Sequence, residues 1–159
     1  MVTALPAAPS SPATAPRAVL QLRVPAERHA LEPTRLAVLH FLEPWALGAR
    51  ALFNVELVLE ETLLNASLHA FDGPGPHAVA LQVQVQPDAV QLQFEDEGRA
   101  FDPLQAAEPV RPASIADAQP GGLGLMLVRK VARSVDYRRL DGRNLLTITV
   151  ERDRSDRSD

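Results

Sequence analysis

The 159-residue sequence contains no cysteine. That absence removes disulfides, thiolate catalysis and cysteine-ligated zinc together, and it agrees with a reducing compartment. The four histidines, His29, His40, His69 and His77, show no paired metal-ligand spacing. Formal net charge is −4 and the basic residues are scattered until the tail. The chain therefore lacks the basic stripe that binding a phosphate backbone requires, and nucleic acid is not an expected partner. No apolar run approaches the ~20 residues of a membrane-spanning helix. Met1 to Pro16 is rich in Ala, Pro and Ser, with neither a basic start nor a sustained leucine-rich core, so it does not read as a signal peptide. No internal repeat is evident. The expectation is a soluble protein of the cytoplasm.

What is present suffices for one two-layer domain and is too short for two ordinary ones. Residues 1–17 read as a disordered leader, 18–151 as the folded domain, and the Arg/Asp-rich residues 152–159 as a solvated tail. Ala18 to Val24 alternates as a strand, and Pro33 to Trp45 carries Leu36, Leu39 and Leu42 at helical spacing until Pro44 disturbs it. A second helix follows and stops before Asp72-Gly-Pro-Gly-Pro76. Val79, Leu81, Val83 and Val85, then Val90, Leu92 and Phe94, alternate with glutamines and Glu95, which predicts a hairpin covered by helices on one side. Residues 102–120 are rich in Pro and Ala with little periodicity, and read as a mobile lid. A glycine-led helix and a final hairpin, turning at Asp141-Gly142, complete the chain.

Three polar features interrupt this plan. In the second helix Phe53, Leu57, Leu64 and Leu68 recur at helical spacing, with Glu61 roughly 20° from that stripe and Asn65 roughly 40° further round. Both are expected to face the interior or its edge. A carboxylate kept beside the core implies a ligand, a metal or a partner residue, because burying it unpaired is costly. Asp96 continues the inward parity of Val90, Leu92 and Phe94, and Gly98 follows where the chain leaves the strand, suiting positive φ or close backbone approach to something bound. Gly121-Gly122-Leu123-Gly124 opens a helix whose N-terminal N–H groups would suit a phosphate. Each feature alone has an ordinary structural explanation; their order along the chain is what points to a site.

In that order, Glu61-Thr-Leu-Leu-Asn65, Asp96-Glu-Gly98-Arg-Ala-Phe-Asp-Pro103 and Gly121-Gly122-Leu123-Gly124 resemble the asparagine box and two glycine boxes of the Bergerat (GHKL) ATP-binding fold. The resemblance spans about Ala18 to Val150 and is similar to the branch of bacterial anti-sigma-factor serine-protein kinases. Asn65-Ala-Ser-Leu-His69-Ala-Phe71, and Val135-Asp-Tyr-Arg-Arg with Gly142-Arg-Asn, are especially close. It implies an α+β fold, a two-layer sandwich with a mixed, mostly antiparallel sheet and helices on one face. It implies ATP and Mg²⁺ as cofactors, a STAS-fold anti-anti-sigma protein and a sigma factor as partners, and leaves a homodimer open. By the same resemblance Glu61 is the general base, Asn65 holds Mg²⁺, and Asp96 accepts from the adenine amino group. Gly98 then lets adenine approach, Gly121, Gly122, Leu123 and Gly124 receive the phosphates, and Arg35 contacts a partner. Arg99 and Arg111 receive no role.

Nothing resembles a phosphoacceptor-histidine helix, which disfavours a sensor histidine kinase in one chain. Two other readings stand beside the kinase: a nucleotide-gated module that sequesters a partner without phosphorylating it, and an ATP domain serving a separate histidine-containing protein.

Overall fold

Strict alternation at the hairpin positions produces the expected sheet. A computed structural model describes residues 18–105 and 122–153. The elements run β1 (Ala18–Pro25), α1 (Leu31–Leu42), α2 (Ala49–Asn65), β2 (Ala78–Val85), β3 (Ala89–Asp96), α3 (Gly122–Val131), β4 (Ser134–Leu140) and β5 (Arg143–Glu151). Val79, Leu81, Val83, Val85, Val90, Leu92, Phe94, Ile148 and Val150 are buried on one sheet face, beneath Val38 and Leu42 of α1, Val55, Val58 and Leu59 of α2 and Val128 of α3. The opposite face carries the glutamines, with Gln21 Nε2 donating to Gln82 Oε1 at 3.2 Å. This is a two-layer α+β sandwich.

Strand order is β1-β2-β3-β5-β4, and every pairing is antiparallel. The sheet expected to be mixed and mostly antiparallel is thus wholly antiparallel among the described residues. Because α3 crosses over the sheet, β4 lands at the edge and β5 lies inside it, between β3 and β4. Asp141 and Gly142 both take positive φ and close the β4–β5 hairpin. Pro33 is tolerated in the first turn of α1, and Pro44 falls in the 3₁₀ turn Glu43–Trp45 that ends it.

Helix α2 departs from expectation. The sheet takes Ala51, Val55, Val58, Leu59, Thr62 and Leu63, whereas Phe53 is 65% and Leu68 49% exposed. Two apolar faces lie about half a turn apart on this helix, and the buried one is richer in small and β-branched residues that let its backbone approach the sheet. Glu61 and Asn65 consequently sit half-buried on the flank between the two faces rather than over the core.

The fold also continues past its expected end. Arg152 donates to the Gln86 and Trp45 carbonyls at 3.0 and 2.8 Å, tying the first tail residue to two loops. The leader 1–17, most of the segment 102–120, Arg111, Gly121 and tail residues 154–159 lie outside the described residues.

Candidate functional site

Helix α2 holds Glu61 and Asn65 one turn apart, then runs into a π turn at Ala66–Ala70. Such wide turns are uncommon and concentrate at functional sites. The Glu61 carboxylate makes no ion pair or hydrogen bond among the described residues. Burial first, and the neighbouring Glu60 charge second, raise its pKa above the ordinary 4.5. That moves it toward the range in which a carboxylate works as a proton acceptor. Gly124, in the first turn of α3, lies so close that a methyl group built on it would overlap the Glu61 carboxylate. Any side chain there would have to displace the Glu61 carboxylate, so the first turn of α3 lies directly against the acid.

Asp96 ends β3 on the helix side of the sheet, and antiparallel register sets Asn144 of β5 opposite it. Asn144, only 6% exposed, donates through Nδ2 to Asp96 Oδ1 at 2.9 Å and to the Arg99 carbonyl at 2.8 Å. Its Oδ1 accepts from the Tyr137 hydroxyl and from Arg139, both at 2.7 Å. Gly98 N–H also donates to Asp96 Oδ1 at 2.8 Å. Oδ1 is so occupied, whereas Oδ2 accepts no hydrogen bond among the described residues.

Gly98 has no positive φ; the glycine is needed because a Cβ would strike the Ala70 carbonyl and approach Asp96 Oδ1 to 2.8 Å. The sequence anticipated close approach to something bound; the close approach seen in the structure is to the π turn. Arg99 extends the same joint, its backbone N–H donating to Ala70 O at 2.7 Å and its guanidinium to His69 O at 2.9 Å. This gives Arg99 the structural role that sequence left blank.

Asn65, Asp96, Thr62, Asn144 and Tyr137 share one small cavity of about 60 Å³, closed over by Phe101, Pro103 and Leu125. A wider cavity of about 610 Å³ lies on the other side of Asp96, against Arg23, Phe71, His77 and Arg143. Each cavity is lined by one buried polar atom without a partner among the described residues, His77 Nε2 in the wide one and Thr62 Oγ1 in the small one, and the small one is the stronger candidate site because α2, α3 and the sheet converge on it. Thr62 Oγ1 is sealed from solvent without a hydrogen bond among the described residues. The side-chain amide of Asn65 likewise makes none there.

Residues 24–150 match the family described as Histidine kinase-like ATPase domain. The chain belongs to that family. It is 40% identical over 120 residues to the serine/threonine-protein kinase BtrW of Bordetella bronchiseptica, a match covering 73% of this chain and 84% of that protein. A solved structure of the RsbU and RsbW domains of Rv1364c from Mycobacterium tuberculosis superposes with a TM-score of 0.58 at 15% identity, covering 87% of this chain and 34% of that one. At that identity the likeness concerns the fold alone.

Within this histidine kinase-like ATPase domain, Asn65 and Asp96 meet on one cavity, Glu61 and Gly124 touch beside it, and Gly98 packs against Ala70 and Asp96, which line it. Leu123 is exposed on α3. Arg35 stands apart, lining a separate cavity between α1 and α2. It forms a bidentate pair with Glu32 at 2.8 and 2.9 Å and reaches Glu56 at 3.2 Å. Those bonds, Glu32 foremost, raise the Arg35 pKa further and lower that of Glu32. Sequence reasoning quoted Asn144, Tyr137 and Thr62 within its motifs and gave them no role. The signal for Asn144 was available, since it has the inward parity of Leu146, Ile148 and Val150.

Proposed function

We propose that this chain is an ATP-dependent serine-protein kinase that also acts as an anti-sigma factor, switching between a STAS-type anti-anti-sigma protein and a sigma factor. The observation that carries the reading is the convergence of Asn65 and Asp96 on one cavity, with Glu61 and Gly124 in contact beside it, in a chain of this family 40% identical to a serine/threonine-protein kinase.

Each residue has a chemistry suited to its role. Asp96 Oδ2, left open by the Asn144 and Gly98 bonds to Oδ1, accepts from an adenine amino group. Asn65 offers a neutral oxygen to Mg²⁺, a hard cation that takes few protein ligands and fills its shell with phosphates and water. The side chain fits that use, since Asn65 lines the cavity and its amide makes no hydrogen bond among the described residues. When bound, Mg²⁺ neutralises phosphate charge during transfer. The α3 N-terminus supplies backbone donors toward phosphate oxygens. Glu61, with its raised pKa, takes the proton of a substrate serine hydroxyl.

The test is transfer of labelled γ-phosphate from Mg-ATP to a cognate STAS-fold protein. Acid-stable phosphoserine is expected, and Glu61→Gln should cut transfer by ~10²-fold or more while ADP affinity stays within about twofold. Nucleotide-dependent complexes without phosphoserine in any partner would replace the kinase with a nucleotide-gated binding module. Normal transfer by Glu61→Gln would remove Glu61 as the base.

A further inference from the structure

Helices α1 and α2 each bury one threonine on their sheet-facing side, Thr34 at 7% and Thr62 at 8% exposure. Thr34 solves its hydroxyl in the usual helical way, donating to the Ala30 carbonyl four residues earlier at 2.7 Å. Thr62 sits on the same kind of helix with the Val58 carbonyl at the equivalent place. Its Oγ1 nevertheless makes no hydrogen bond among the described residues, although it is sealed from solvent. A buried hydroxyl left unmet is costly, and native structures keep few of them without a reason. The space that Thr62 adjoins is the small cavity shared with Asp96, Asn65 and Asn144.

We propose that Thr62 Oγ1 is a ligand-contacting hydroxyl of the nucleobase pocket, donating to a ring nitrogen of adenine beside the amino group that Asp96 accepts from. This rests on reading the cavity as an adenine-nucleotide site. Adenine pairs an amino donor with an adjacent ring-nitrogen acceptor, so an acceptor and a donor on the protein form its complement. Asp96 is the acceptor and Thr62 the donor, acting directly or through one water held in the cavity. Guanine presents an oxygen acceptor where adenine has its amino group, and that oxygen would face the Asp96 carboxylate. Thr62 and Asp96 together therefore select adenine.

The experiment compares the wild type with Thr62→Val, which keeps the shape and deletes the hydroxyl, and Thr62→Ser, which keeps the hydroxyl. Each is measured by thermal unfolding without nucleotide and by calorimetric titration with Mg-ADP and Mg-GDP. The expected Thr62→Val result is ADP affinity about 5- to 30-fold weaker, a narrowed preference for ADP over GDP, and an unfolding temperature without ligand that is equal or higher. Thr62→Ser should stay within about threefold of wild-type affinity, as an intact hydrogen bond requires. Wild-type ADP affinity in Thr62→Val overturns the proposal, as does an affinity loss that Thr62→Ser shares. If wild-type protein binds no ADP, the nucleotide reading of the cavity fails and this inference fails with it.

Discussion

Asn144 places both ends of its amide in hydrogen bonds, and each bond constrains a different part of the site. Replacing it with Leu removes the donor from Asp96 and the Arg99 carbonyl, and the acceptor from Tyr137 and Arg139. The expected cost is about 2–4 kcal/mol in urea unfolding, the range for breaking a buried polar network. A loss below about 1 kcal/mol would mean the network contributes little beyond an ordinary surface hydrogen bond. Glu61 gives a pH prediction at the same scale. Its raised carboxyl holds a proton in the folded state where the unfolded chain has already lost it. Its contribution to stability therefore falls as pH rises upward from 4.5. With Glu61 as the proposed base, catalysis should have the opposite sign, because only the ionised carboxylate can accept the serine proton. Phosphotransfer should rise along an acid limb, and Glu60→Gln, by removing the like charge, should move that limb to lower pH. Initial rates across pH for both proteins decide it; a limb unmoved by Glu60→Gln counts against the assignment.

At the scale of elements, α2 is the informative case. Its sequence carries two apolar faces, and periodicity alone cannot say which one meets the sheet. Substitutions can separate them. Val58→Ala should cost about 2 kcal/mol through lost burial and a small cavity, whereas Phe53→Ser should stay within about 0.5 kcal/mol, as exposed positions do. Equal costs, read from denaturant midpoints at constant slope, would contradict the packing described. The β2–β3 hairpin was legible from sequence because strict alternation admits only one inward face, and Asp96 was placed correctly by that parity. The π turn after Asn65 was not legible. It arises where the chain must present Ala70 to Gly98 and Arg99, residues some thirty positions later, and a local pattern carries no record of such a contact.

For the whole molecule, the site is assembled by topology. Asp96 and Asn144 meet because α3 crosses over the sheet and brings β5 beside β3, and Gly124 meets Glu61 because that same crossover lays α3 along α2. A nucleotide bound there should hold these elements together. Mg-ADP at a hundredfold excess over its Kd should therefore stabilise the fold by about 2.7 kcal/mol, read as a rise of several degrees in thermal unfolding. Chelating the metal should reduce the shift, and Asn65→Ala should blunt the effect of chelation; an equal response to chelation in both proteins would remove Asn65 as the metal holder. No helix among the described residues is long and apolar enough to cross a membrane.

The sequence by itself determined the hairpins and the inward parity of Asp96, because these follow from local periodicity and turn chemistry, and the resemblance carried by its motifs implied the α+β class and the three boxes. Only the tertiary structure decided which face of α2 is core, that Gly98 serves a contact to Ala70, that Gly124 lies against Glu61, and that Thr62 and Asn144 line the same cavity as Asp96. Those are contacts between residues far apart in the chain, where space and hydrogen-bond satisfaction choose among packings that one-dimensional patterns leave equivalent.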